Sequence, residues 1–182
     1  AIAPDGIIYI SSHDTYLYAI TPEGSQMWKW GSGGQMESSP AIAPYGTIVI
    51  GSAPYQIYGI YPDSAMKWLY LTGDKVFSSP SITSGSISHV GCQDGKLYAL
   101  RPDGSLYWEY DTTQTIYSSS PAIGPDGTVY IGSFDTRLHA VTDAGTPKWT
   151  FSTGDTVYAS PIVDRDGVVY IGNWSGDLIA VN

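Results

Sequence analysis

Cysteine is almost absent from this chain: Cys92 is the single one among 182 residues. An intrachain disulfide is therefore excluded. Basic residues are scarce as well, with 8 Lys and Arg against 17 Asp and Glu, a formal net charge of −9. Such a field repels phosphate backbones and anionic lipid surfaces, which disfavours nucleic-acid and membrane-surface roles. No apolar run approaches the ~20 residues that cross a bilayer as a helix. No stretch carries apolar residues at helical spacing either. Charge is thin overall, at 14% of residues, yet disorder is not implied. The 15 Tyr, 6 Trp and many Val and Ile supply ample surface to bury.

What the chain does contain is one phrase written repeatedly. Trp28, Trp68, Trp108 and Trp149 stand 40, 40 and 41 residues apart, inside YAITPEGSQMW, YGIYPDSAMKW, YALRPDGSLYW and HAVTDAGTPKW. A period near 40 marks stacked supersecondary units. The copies run over 1–37, 38–77, 78–117, 118–158 and 159–182, the last ending before its tryptophan, and together they form a single domain over 1–182. The chain opens at Ala1 in mid-pattern, as a mature exported product or a piece of a longer protein would.

Each full copy divides into four short β segments. In the fourth these are SPAIG, TVYIGS, RLHAV and PKWTF. PDG at 4–6 and 125–127, PYG at 44–46 and RDG at 165–167 join the first two segments, because Pro presets φ and Gly accepts positive φ. The third copy departs, with SGS at 84–86. Every full copy thus reads as a four-stranded antiparallel meander. Apolar residues on both faces demand a neighbour on each side, and four-stranded sheets packed face to face around an axis are propeller blades. The expected fold is an all-β propeller of four complete blades and a partial fifth, either a five-bladed ring or a fragment of a larger one. Small residues (Ser38–Ala41, Ser78–Ser81, Ala159–Pro161) place the first strand nearest the axis, and the four repeating tryptophans plug the gaps between blades. The missing outer strand leaves the segment 177–181 open to strand addition, hence to homo-oligomerisation.

The repeat resembles the pyrroloquinoline-quinone-type propeller family. Ser120-Pro121, Gly127 to Ser133, Asp135, Leu138 to Val141, Gly145 and Trp149 follow its blade pattern, and the likeness runs along the whole chain. Some members of that family are dehydrogenases that hold the quinone and calcium in an eight-bladed ring, with a disulfide of adjacent cysteines against the cofactor. Others are binding scaffolds, among them an outer-membrane assembly lipoprotein. One cysteine cannot form that disulfide, so the resemblance carries the fold and no cofactor. Pyrroloquinoline quinone and calcium enter only under the alternative of a dehydrogenase fragment.

No catalytic motif accompanies the repeats, and no metal site is expected. His13, His89 and His139 occupy unrelated positions, and Asp14, Asp94 and Asp135 each give one carboxylate to a turn, too few for calcium. Residues that break the pattern or line a channel end are better candidates: Glu37, Phe77, Tyr117 and Tyr158 lead into the inner strands, and Trp174 sits in a turn. An aromatic rim of this kind suits a peptide or a sugar. The expected function is a non-catalytic binding or assembly propeller in the periplasm or at the cell surface, with a protein or a glycan as partner. A dehydrogenase fragment and a carbohydrate-binding propeller are the alternatives.

Overall fold

The computed structural model describes residues 1–53 and 55–182; Pro54, which stands where other copies have the turn aspartate, lies outside them. Those residues form five antiparallel sheets and no helix. The first holds β1 (Ile8–Ser11), β2 (Tyr16–Ile20) and β3 (Gln26–Gly31). The second holds β4 (Ala41–Ile42), β5 (Ile48–Ser52), β6 (Gln56–Ile60) and β7 (Met66–Leu71). The third runs through β8 (Ser81–Ile82), β9 (Ser88–Gly91), β10 (Lys96–Leu100) and β11 (Leu106–Asp111). The fourth comprises β12 (Ala122–Ile123), β13 (Val129–Ser133), β14 (Arg137–Val141) and β15 (Pro147–Ser152). The fifth has β16 (Ile162–Val163), β17 (Val169–Gly172) and β18 (Leu178–Val181). Strand order follows the chain in every sheet, as hairpin turns require.

Burial shows how the sheets stack. Four apolar clusters lie between successive sheets: Leu17 with Ile50, Ile57 with Val90, Leu97 with Ile131, and Leu138 with Ile171. The middle strands β5, β9 and β13 are buried along their whole length, with a neighbour on each face. By contrast β18 alternates exposed and half-buried residues, the mark of a sheet covered on one side. Ile10 in the first sheet and Leu178 in the fifth are 51% and 79% exposed, so these terminal faces carry no covering sheet.

In blades two to five the first strand is shorter than the sequence pattern suggests. Its ladder has two residues, because Pro40, Pro80, Pro121 and Pro161 lack the N–H that would extend it. The serines before each proline bond sideways instead. The backbone N–H groups of Ser39, Ser79 and Ser120 each donate to the next blade's serine Oγ, on Ser79, Ser120 and Ser160, at 2.9 Å. This ladder ties blades two to five along their inner edges. The preceding serines Ser38, Ser78 and Ser119 are fully buried and accept the N–H of Gly51, Gly91 and Gly132 at 3.2, 3.0 and 3.0 Å.

The tryptophans hold the outer edges. Trp28, Trp68 and Trp108 donate Nε1–H to a backbone carbonyl in the next blade's turn, on Pro62, Pro102 and Asp143, at 2.8, 3.1 and 2.9 Å. Trp68 and Trp108 are buried, while Trp28 and Trp149 are half-buried. Trp30, outside that register, is also a packing residue, edge-on to Tyr58 at 4.7 Å.

Between the second and third strands, Gly95 and Gly176 adopt φ of +88° and +90°, whereas the equivalent Thr15 and Thr136 sit at +80° and +69°. A β-branched residue in that region is strained. Thr136→Gly is expected to raise the unfolding free energy by about 0.5–1 kcal/mol, the strain relief exceeding the added chain entropy. An unchanged or lower thermal midpoint would count against the strain.

Candidate functional site

The loops that join the fourth strand of one blade to the first of the next lie beside the turns between second and third strands. Backbone bonds fasten the two sets together: Gln93 N–H to Lys75 O, Phe134 N–H to Thr115 O, and Trp174 N–H to Thr156 O, at 3.0, 3.0 and 2.9 Å. The residue after each loop's buried Val or Ile is thereby displayed on one rim. Val76, Ile116 and Val157 are fully buried, and Phe77, Tyr117 and Tyr158 follow them.

These aromatic side chains meet. Phe77 and Tyr117 pack edge-on with centroids 5.6 Å apart, and Tyr117 meets Tyr158 at 5.9 Å. Tyr158 lies 4.8 Å from Trp174. The fifth member of the arc is Phe134, stacked on Tyr117 at 5.9 Å with a 16° interplanar angle and 4.5 Å from Tyr158. Sequence reasoning singled out the other four and missed Phe134. The signal was present, since Phe134 and Trp174 occupy the same turn position, filled by His13, Ala53 and Gln93 elsewhere. Ser118, the extra residue of the fourth copy, donates its hydroxyl to Tyr158 O at 3.0 Å and links two loops of the arc.

Glu37, at the same repeat position in the first copy, is exposed and has no ring to contribute; His13 Nε2 lies 3.8 Å from its carboxylate. A concave surface of about 650 Å³ runs past this pair along the uncovered face of the first sheet, lined by Ile8, Ile10, Met36 and Glu37.

The turn aspartates act as local braces. Asp14, Asp94 and Asp135 accept the backbone N–H two residues on, at 3.2, 3.0 and 3.1 Å. Asp14 and Asp94 also accept the Tyr18 and Tyr98 hydroxyls at 2.5 and 2.6 Å, Asp94 accepts the Gly73 N–H of the neighbouring loop at 2.9 Å, and His139 Nε2 lies 3.0 Å from Asp135. His139 is buried and also meets the Tyr110 hydroxyl at 3.1 Å through Nδ1, so it belongs to the interface between the third and fourth blades. Among the described residues no three His, Cys, Asp or Glu side chains converge as metal ligands. Cys92 is fully buried, with its Sγ 3.2 Å from Asp74 O; burial pushes the thiol up to about 12, so it stays protonated and unreactive. As a lone buried thiol, Cys92 cannot form the adjacent-cysteine disulfide that the dehydrogenase resemblance implies.

Residues 1–182 match, along their whole length, the protein family described as outer membrane protein assembly factor BamB. The chain belongs to the BamB family of pyrroloquinoline-quinone-like repeats. The crystal structure of BamB from Moraxella catarrhalis superimposes with a TM-score of 0.83 at 24% identity. The match covers 100% of this chain and 56% of that one, so the chain spans a little over half the length of that BamB. This likeness establishes the propeller fold. No curated protein matches the sequence. Among the described residues no helix is long and apolar enough to cross a membrane.

Proposed function

We propose that this chain is part of a non-catalytic assembly propeller that engages a protein partner through its aromatic rim. The observation that carries this reading is the arc itself. Five rings from four consecutive copies are displayed together by loops, and Tyr117 and Trp174 remain 39% and 70% exposed. Exposed aromatic clusters on a rigid scaffold are the commonest anchors of protein recognition. The family's description as an outer membrane protein assembly factor supports an outer-membrane polypeptide as the partner class and an extracytoplasmic setting. The reading requires no cofactor.

Titration with a urea-denatured outer-membrane β-barrel polypeptide, rapidly diluted, tests it. Binding is expected, and a Tyr117→Ala, Trp174→Ala variant is expected to weaken it about tenfold, since two anchors are removed. Both side chains are exposed enough for the variant to keep its circular dichroism spectrum. Undiminished binding by a folded variant would refute the rim as the contact.

A further inference from the structure

The arc is not evenly occupied. At its Phe77 end the ammonium of Lys75 lies 5.9 Å from the ring centroid, a cation already drawn to the aromatic surface. Among the described residues no Lys or Arg lies over Tyr117, Phe134, Tyr158 or Trp174. The surroundings are acidic: Asp74 and Asp155 sit in the connections that carry the arc and Asp111 ends the strand leading into one of them, while Lys75 is the only base in those connections among the described residues. Asp155 is closest to the open end. Its carboxylate accepts the hydroxyl of Ser175, the neighbour of Trp174, at 2.6 Å, and the Thr156 N–H at 2.7 Å. The Ser175 hydroxyl, then the Thr156 amide, hold its carboxyl below the usual range, so it is ionised at neutral pH.

Exposed π faces beside a fixed negative charge attract a delocalised, weakly hydrated cation more than a neutral group, and guanidinium is the protein cation of that kind. The spacing adds a length. From Tyr117 through Tyr158 to Trp174 the rings extend at most about 11 Å, the reach of three to four extended residues. Side chains at alternate positions of such a segment point the same way.

We propose that the half of the arc from Tyr117 to Trp174 binds an extended polypeptide segment bearing arginines at alternate positions, stacked on the open faces of Tyr117 and Trp174 and countered by Asp155. This inference rests on the protein-binding reading above and narrows it to basic segments. The −9 charge of the whole chain works in the same direction by steering such a segment toward the rim.

Calorimetric titration of the full chain at low salt, with a capped peptide alternating Gly and Arg and with its Gln and Glu counterparts, decides the matter. The Arg peptide is expected to bind about tenfold more tightly than the Gln peptide, and the Glu peptide weakest. Trp174→Ala at an exposed position and Asp155→Asn, an isosteric change at a half-buried one, should each weaken the Arg peptide about fivefold, and added salt should weaken it further. Equal affinity for the Arg and Gln peptides overturns the cation preference, as does tighter binding of a chito-oligosaccharide than of any peptide. Unaltered Arg-peptide binding in both variants overturns the location. If the denatured β-barrel polypeptide still needs Tyr117 and Trp174 while the Arg peptide does not bind, only this inference fails. If neither ligand needs the rim, the protein-binding reading fails with it.

Discussion

Replacing Trp108 by alanine is expected to lower the unfolding free energy by about 3–5 kcal/mol, the cost of emptying a large buried aromatic site. The indole is 9% exposed, packs 5.3 Å from the His89 ring, and lies over Gly145 of the next blade. That glycine is required twice. Its φ is +82°, and a Cβ there would come within 2.6 Å of the indole. The Nε1–H bond to Asp143 O, at 2.9 Å, is lost too, which leaves a carbonyl without its partner. Trp108→Phe retains most of the packing and should cost about 1–2 kcal/mol, mainly through that bond. Trp149 provides the internal comparison. It is half-buried, and no acceptor meets its indole N–H among the described residues, so Trp149→Ala should cost clearly less than Trp108→Ala. Urea unfolding of the three variants, extrapolated to water, measures the ranking. Equal losses at Trp108 and Trp149 would show that the interblade indole contributes little beyond its own sheet.

Acid should weaken the fold through His89, and His89→Tyr should remove that sensitivity. The imidazole is 2% exposed, and burial pushes its pKa down to about 4 from 6.5; a hydrogen bond to the Ser81 backbone opposes this only in part. Between pH 6.5 and 4 the unfolded chain therefore binds a proton that the folded chain refuses. Stability is full above pH 6.5 and falls as pH drops through the window, by about 3 kcal/mol in total. Below pH 4 the two states protonate alike and the slope vanishes. Tyrosine already holds this position in other blades: Tyr9 packs at a tilt against Trp28 at 5.7 Å and Tyr130 against Trp149 at 5.6 Å, much as His89 does against Trp108. The substitution is therefore accommodated. Urea unfolding of wild type and His89→Tyr at pH 7.5 and 4.5 isolates the contribution, since other titrating groups are common to both. Parallel losses in the two proteins would assign the acid sensitivity elsewhere.

Much of the fold was legible because the same chemical solution recurs. A hairpin glycine at positions 6, 46, 127 and 167, with φ between +81° and +87°, announces itself by residue type. In the third copy Ser86 takes the same conformation at +63°, so the backbone turn survives where its sequence signal does not. The packing role of the tryptophans was legible for a similar reason, as only an interblade gap repeats every 40 residues. The serine ladder was not. Ser39, Ser79, Ser120 and Ser160 read as small residues near an axis, and their bonds to one another depend on how far each blade is rotated from the last.

The candidate rim divides in the same way. Its entry residues were visible as aromatics at one repeat position, yet Phe134 was overlooked because a turn residue next to an aspartate looks like loop chemistry. Glu37 holds the same repeat position as Phe77 but carries a carboxylate that sits 3.8 Å from His13, so the first copy adds charge rather than a ring at this position.

Residue order alone determined the four-stranded unit, its turns, its number of copies and the indole that joins each copy to the next. Those features rest on short-range backbone preference and periodic burial, and both are written locally. Tertiary structure alone decided which loops share a rim, which serines bond across blades and which faces stay open. Contacts between residues some 40 positions apart depend on the angle between sheets, and that angle is set by the packing of all side chains between them.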